Sequence, residues 1–177
     1  GDDDVLRRMG RPYRTEQYRR VVETLHARFP DAALGTDVLV GFPGESSRAA
    51  GNTLGLVRDL PLDYLHVFTF SPRPGTPAAG LPDRPAAAEA RLRSATLREV
   101  GAGRWRAFLS KGIDRSHRVL VERSDGGWAE GHPSRYRRIK VAPANSRAGE
   151  LVEAWAHRLE GDTLVGVPVG ATAPENT

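Results

Sequence analysis

The chain of 177 residues contains no cysteine. That absence excludes disulfides, thiolate catalysis, cysteine zinc sites and cysteine-held iron–sulfur clusters among its own residues. Long apolar runs are missing too: no stretch approaches the roughly 18 residues that span a bilayer, and the N-terminal segment is acidic. With no visible address signal, a soluble cytoplasmic protein without a membrane partner is expected. Histidines at metal-ligand spacing are also lacking. His26, His66, His117, His132 and His157 form no HxH or HxxxH relation, which argues against a metal site. The chain opens on Gly1 rather than methionine, and "GDDDVLRRM" reads like the middle of a polypeptide, so a piece of a longer protein is expected.

What is present is a globular composition. The hydrophobic fraction of 39% is low for a compact domain but too high for disorder, and the formal charge is +4. Such a charge says little by itself; its placement matters more. Two regions differ in texture. In residues 1–112 helical patterns alternate with short apolar runs. "TEQYRRVVETLHARF" puts Tyr18, Val21, Val22, Leu25 and Phe29 at helical spacing, with Thr15 as N-cap and Pro30 as terminator. "ALGTDVLVGF" reads as a buried strand. Ser46 or Ser47 caps a second helix to Leu60, weakened by Gly51, Asn52 and Gly55. "LDYLHVFTF" is a second strand, and "SPRPGTP" a rigid loop. A third helix runs from residue 84 to about residue 109, with Pro85 in its first turn. The order predicts βαβ units and a parallel sheet. Two strands alone are too few for an independent α/β domain, so further strands are expected before Gly1.

Residues 113–170 supply "HRVLVER", "WAEGH", "YRRIKVA", "LVEAWAHRL" and "TLVGVPV", separated by turn compositions. About five short strands fit a small antiparallel barrel of the OB type, a fold whose faces often take nucleic acid. Residues 171–177 are expected to be a disordered tail.

The stretch "TDVLVGFPGES" ends an apolar run on Gly41, Phe42, Pro43, Gly44 and Glu45. Glycines there permit close approach of backbone to a ligand, and proline stiffens the turn. The plainer alternative is a turn that only reverses the chain, with Glu45 favouring the next helix N-terminus. Arg73, in "SPRPGT", is a rigidly presented guanidinium suited to a carboxylate or phosphate, or merely solvated. Arg7, Arg8 and Arg11 surround Met9 near Tyr13, as mouth-lining cations or a charged helix face. "HPSRYRRIK" carries the best nucleic-acid signal. Arg135 and Arg137 share one strand face with Ile139; Tyr136, Arg138 and Lys140 share the other. A tyrosine among cations suits RNA, since bases stack on the ring while cations meet phosphates. The competing reading is an exposed basic strand that resists edge pairing. Trp105, Trp128 and Trp155 are expected in packing roles.

"VLRRMGRPY", "TDVLVGFPGES", "HVFTFSPRPGTPAAGLPD" and the strand-rich end closing on "LVGVPV" resemble, in order, the radical S-adenosylmethionine methylthiotransferases. The resemblance implies a fold and an activity. The fold would be the C-terminal portion of a radical S-adenosylmethionine (partial TIM-like) barrel, residues 1–112, followed by a TRAM-like, OB-like antiparallel β-barrel that grips RNA. The activity would be methylthiolation of a modified adenosine beside the tRNA anticodon. "HVFTFSPRPGT" looks most like the branch acting on threonylcarbamoyl-adenosine; the isopentenyl-adenosine branch is similar. By the same resemblance Thr36, Asp37, Leu39, Val40, Gly41, Phe42, Ser71 and Arg73 would touch S-adenosylmethionine, since barrel sites lie at C-terminal strand ends. Arg135, Tyr136, Arg137, Arg138 and Lys140 would touch tRNA at the anticodon stem-loop. The CxxxCxxC loop that binds the four-iron four-sulfur cluster is absent, so the chain alone is expected to be inactive. It would need the missing N-terminal and barrel portions of the same polypeptide. The family usually has acidic residues and a phenylalanine near Ala49, Ala50 and Gly51, so looser packing is expected there. The rival from another class is a non-catalytic RNA-binding protein that keeps the scaffold.

Overall fold

The computed structural model describes residues 1–133 and 137–170. The chain divides into two units, Gly1–Arg104 and Trp105–Thr177. The tail at 171–177 lies outside the described residues.

The first unit opens on helix α1 (Asp3–Arg8), which carries Arg7 and Arg8 in its last turn. Asp2 caps it, accepting from the backbone N–H groups of Asp4 and Val5 at 3.1 Å each and from Asn52 Nδ2 at 2.8 Å. Acidic residues fill its first turn and arginines its last, matching the helix dipole. Asp3 reaches forward to the start of α2 (Thr15–Arg28), where its Oδ1 accepts from the Thr15 N–H at 2.8 Å. Gln17 Oε1 accepts from the Arg14 N–H at 2.8 Å. The N-cap position is therefore Arg14, and Thr15, expected to cap, is the first helical residue.

Both carboxylates sit below the ordinary range. For Asp2, burial by itself raises the pKa, but hydrogen bonds from Asn52, Val5 and Asp4 outweigh it. For Asp3 the hydrogen bonds from Thr15 are the cause. A depressed folded pKa stabilises the fold above the unfolded value of about 4 and ceases to do so as pH falls through the folded value. Asp3→Asn is thus expected to remove part of the melting-temperature loss between about pH 5 and pH 2, read by acid-series thermal melts.

Strands β1 (Gly35–Val40) and β2 (Tyr64–Thr69) pair in parallel, Gly35 opposite Tyr64 through Val40 opposite Thr69. One face of this ribbon, with Val38, Val40 and Val67, packs on Val57 of α3 (Ser47–Asp59) and Leu97 of α4 (Ala87–Ser110). Each such side chain contributes roughly 1.5–3 kcal/mol of burial free energy. Ser46 caps α3, its Oγ accepting from the Ala49 N–H at 3.1 Å.

Helix α2 buries Val22 against Leu60 and Leu62, with Tyr18 partly covered. The other positions of its apolar stripe do not follow: Val21 is 56%, Leu25 40% and Phe29 51% exposed. A sheet of only two strands offers too narrow a layer to cover the whole stripe.

Looser packing is expected from Ala49 to Gly51, and Ala49 departs from it, being buried beside Val5 and Phe42. Ala50 and Gly51 instead line a groove of about 220 Å³ with Leu54, Leu92 and Leu97. A Cβ added at Gly51 would meet nothing within 4 Å. Gly51→Ala is therefore expected to stabilise the chain by about 0.5–1 kcal/mol in urea titrations, since a helix-interior glycine costs that much against alanine.

The second unit is a closed barrel of β3 (Arg115–Asp125), β4 (Trp128–Pro133), β5 (Arg138–Val141), β6 (Leu151–Glu160) and β7 (Thr163–Pro168). The order β3-β4-β5-β7-β6 closes back on β3. Inward residues Val119, Val121, Ala129, Ile139, Val141, Ala154, Ala156 and Leu164 form its core. The expected five strands are there, but the barrel is not wholly antiparallel: β5 and β7 pair in parallel. The chain leaves β5, runs out along β6 and returns as β7, which places β7 beside β5 in the same direction. Bulges at Val121/Arg123 and Ala156/Arg158 add the curvature that closure needs.

Candidate cofactor rim and nucleic-acid face

In the first unit the strand ends form a tied rim. The Phe70 N–H donates to the Val40 carbonyl at 2.8 Å, and the Phe42 and Phe70 rings meet edge to face at 5.2 Å. The two segments that the sequence singles out, beginning at Gly41 and Ser71, are thereby brought side by side.

The turn itself is built around Glu45, whose residue is 4% exposed. Its Oε2 accepts from the Gly41 N–H at 2.7 Å and from Arg93 Nη1 at 2.9 Å. Arg93 Nη1 also donates to the Glu45 carbonyl at 2.9 Å, binding the turn to α4. Glu45 therefore does not serve the helix N-terminus, which Ser46 caps; it locks the turn. Gly41 has φ +77° and Gly44 φ +84°, both in the region that favours glycine. A Cβ at Gly41 would stand 3.0 Å from the Ala90 Cβ of α4, and one at Gly44 would run into the Arg8 guanidinium. The close approach that these glycines permit is to α4 and to Arg8.

Thr36, Asp37 and Leu39 line a cavity of about 290 Å³ with Met9, Tyr13 and Tyr18. The Tyr18 hydroxyl donates to Thr36 Oγ1 at 2.7 Å. Asp37 is exposed opposite His66, and Leu39 lies opposite Phe68, itself 52% exposed. Two expected cofactor contacts are corrected. Val40, 1% exposed, faces the helices, and Phe42, 4% exposed, packs on Val5, Ala49 and Phe70. Val40, at the strand end, is buried with Val57 and Leu97 of the helices, and the turn folds Phe42 inward. Gly41, Ser71 and Arg73 do not line the cavity. Ser71 and Arg73 are exposed, and the Arg73 carbonyl accepts from the Thr76 N–H at 3.2 Å and its Oγ1 at 2.8 Å. Arg11 lines the cavity. Arg7 pairs with Asp4 at 2.8 Å, and both are exposed. Tyr13 and Tyr18 were not singled out as site residues, because their neighbours come from strands far along the chain.

In the second unit, Arg135 and Tyr136 lie outside the described residues. The predicted two-face split holds from residue 137 onward, but it turns Arg137 inward. Arg137 is 3% exposed, with its guanidinium 4.1 Å from the Phe108 ring centroid and Nη2 donating to the Phe108 carbonyl at 3.2 Å. It shares the inward parity of Ile139, and its guanidinium is engaged with Phe108 rather than turned to the outer wall. Arg138 and Lys140 point outward. Arg138 Nε lies 3.3 Å from Glu130 Oε1, and Lys140 Nζ stands 4.7 Å from the Trp128 ring centroid. Arg123 and His132 extend this outer wall across β3 and β4: Arg123 lies opposite Glu130, and His132 Nδ1 is 2.9 Å from Glu122 Oε1. Arg123 was missed because a bulge sets its facing. Trp105 does pack, stacked on Phe108 at 5.4 Å. Trp155 is 43% exposed on β6.

The second unit is a small closed five-stranded barrel whose outer wall carries Arg138 and Lys140. No protein-family model matches the chain. Among curated proteins it is 36% identical over 172 residues to a tRNA-2-methylthio-N(6)-dimethylallyladenosine synthase of Chromobacterium violaceum, covering 93% of the chain and 39% of that protein. A protein of the same description from Frankia alni is 46% identical over 130 residues, 71% of the chain and 25% of the relative. The threonylcarbamoyladenosine tRNA methylthiotransferase MtaB of Thermotoga maritima is 38% identical over 122 residues, 69% of the chain and 28% of the relative. The chain belongs to the tRNA methylthiotransferase family and corresponds to the C-terminal part of these relatives. It spans 39% or less of the length of each of them. Among the described residues no helix is long and apolar enough to cross a membrane.

Proposed function

We propose that this chain is the C-terminal part of a cytoplasmic enzyme that adds a methylthio group to a modified adenosine beside the tRNA anticodon, by radical S-adenosylmethionine chemistry. The observation that carries this reading is the 172-residue match, which runs through the strand-end rim and the barrel alike. Relatives named for dimethylallyladenosine and for threonylcarbamoyladenosine match at similar identity, 36% and 38%. The phrase "HVFTFSPRPGT" supports the threonylcarbamoyl branch.

The cofactors implied fit unequally. An iron–sulfur cluster does not fit this chain, which has no cysteine to hold one. S-adenosylmethionine fits in part: Leu39 offers an apolar wall, and Asp37 and Thr36 offer polar groups to nucleoside hydroxyls, at one cavity. The remainder of that site, and the cluster, would come from the N-terminal and barrel portions of the same polypeptide, so the chain alone carries out no methylthiolation. Its barrel would hold the anticodon stem-loop through Arg123, Arg138 and Lys140. The reading is tested by the reading frame upstream of Gly1. A CxxxCxxC motif in frame is expected; a start codon immediately before Gly1 would leave only the non-catalytic RNA-binding alternative.

A further inference from the structure

We propose that Trp128 is a stacking platform for one unpaired RNA base, and that Lys140 covers the ring until the base arrives. This rests on the reading of the barrel as an RNA-binding unit and adds the residue that takes a base.

The placement comes from strand parity. Ala129, Gly131 and Pro133 of β4 are buried, so Trp128, Glu130 and His132 face outward. Ile139 and Val141 of β5 are 0% and 1% exposed, so Arg138 and Lys140 share that outer wall. Glu130 stands opposite Lys140 in register, yet Arg138 is the cation that reaches its carboxylate, at 3.3 Å. Lys140 instead lies diagonally over the indole, 4.7 Å from its centroid. Trp128 follows directly on the Gly126–Gly127 turn of the first hairpin. In OB-type barrels the face of the second and third strands and the first hairpin loop take single strands. Here those strands are β4 and β5.

A lysine–ring contact at a solvent-facing site is weaker than the stack of a base on tryptophan. An arriving base therefore displaces the ammonium, which then pairs with the backbone phosphate next to that base. Trp155 is exposed too, but it stands on β6, outside the β4–β5 face that corresponds to the strands OB-type barrels use.

The test measures binding of a single-stranded RNA of about 12 nucleotides, within the span one OB fold covers, to the full chain. Trp128→Ala is expected to weaken binding about 5- to 100-fold, and Trp128→Phe to keep most of it. Lys140→Met is expected to lower the slope of log K against log salt by about one. RNA should quench tryptophan emission in the unmodified chain and much less in Trp128→Phe. If Arg138→Ala weakens binding while Trp128→Ala does not, the platform is refuted and the RNA face stands. If the chain does not bind the RNA at all, both fall.

Discussion

Arg137→Ala is expected to lower the stability of the barrel unit by about 2–4 kcal/mol, a drop of roughly 10–20 °C in its melting temperature. The size follows from what the side chain holds. Its guanidinium lies over the Phe108 ring at 4.1 Å and donates to the Phe108 carbonyl at 3.2 Å, in a place where only 3% of the residue meets solvent. Truncation leaves a void by Gly112, where the Arg137 Cδ and Leu164 lie, and strands a carbonyl in the last turns of α4. Arg137→Lys should recover little, because an ammonium lacks the planar fork that stacks and donates together. Arg138→Ala, one residue on, is expected to leave the melt within about 0.5 kcal/mol and to weaken RNA binding instead. Calorimetry and salt-dependent binding on the two variants separate the roles. Equal melts for both would mean that Arg137 is not buried as described.

Arg93→Met is the second large expected loss, about 3–5 kcal/mol in urea unfolding. Among the described residues it leaves the buried Glu45 carboxylate with the Gly41 N–H as a hydrogen-bond donor and the Gly1 ammonium as a nearby charge, and it frees the turn from α4. The double change Glu45→Gln with Arg93→Met removes both charges. It is expected to recover a large share of that loss, because most of the single-variant cost is an uncompensated buried charge. Strict additivity of the two single changes would show that Glu45 and Arg93 do not act as a pair. An ion pair is weak evidence for stability in itself. This one carries two backbone contacts besides the charge, and those set where the strand end at Gly41 lies.

The alternation of residue types made much of this legible in advance. "DVLV" and "LHVF" read as strands, and β1 and β2 are there; five strand-like phrases after residue 113 became a five-stranded barrel. The parity along "RRIK" correctly put Arg137 with Ile139 and Arg138 with Lys140. Which of the two faces lies inside is hard to read from the sequence, because each carries an arginine, Arg137 on one and Arg138 on the other. Burial of an arginine needs a ring and a carbonyl to receive it, and Phe108 is 29 residues away along the chain. Glu45 posed the same difficulty: its partner Arg93 lies 48 residues on, so a helix-start role was the local reading. Helix α1 is legible in the sequence only as one of two readings of Arg7, Arg8 and Arg11, because six residues give too little periodicity; its Asp2 cap is local but its Asn52 partner is not. The glycines at 41 and 44 are expected from the sequence to let a ligand approach the backbone. What approaches them is the chain's own α4 and Arg8.

The central claim is that this chain completes an enzyme that methylthiolates tRNA. The most direct measurement is mass spectrometry of nucleosides from total tRNA of the source organism, with and without the gene that encodes the chain. The account predicts that a methylthio-bearing modified adenosine disappears on deletion and that its unthiolated precursor accumulates. An unchanged nucleoside profile in the deletion strain would contradict it.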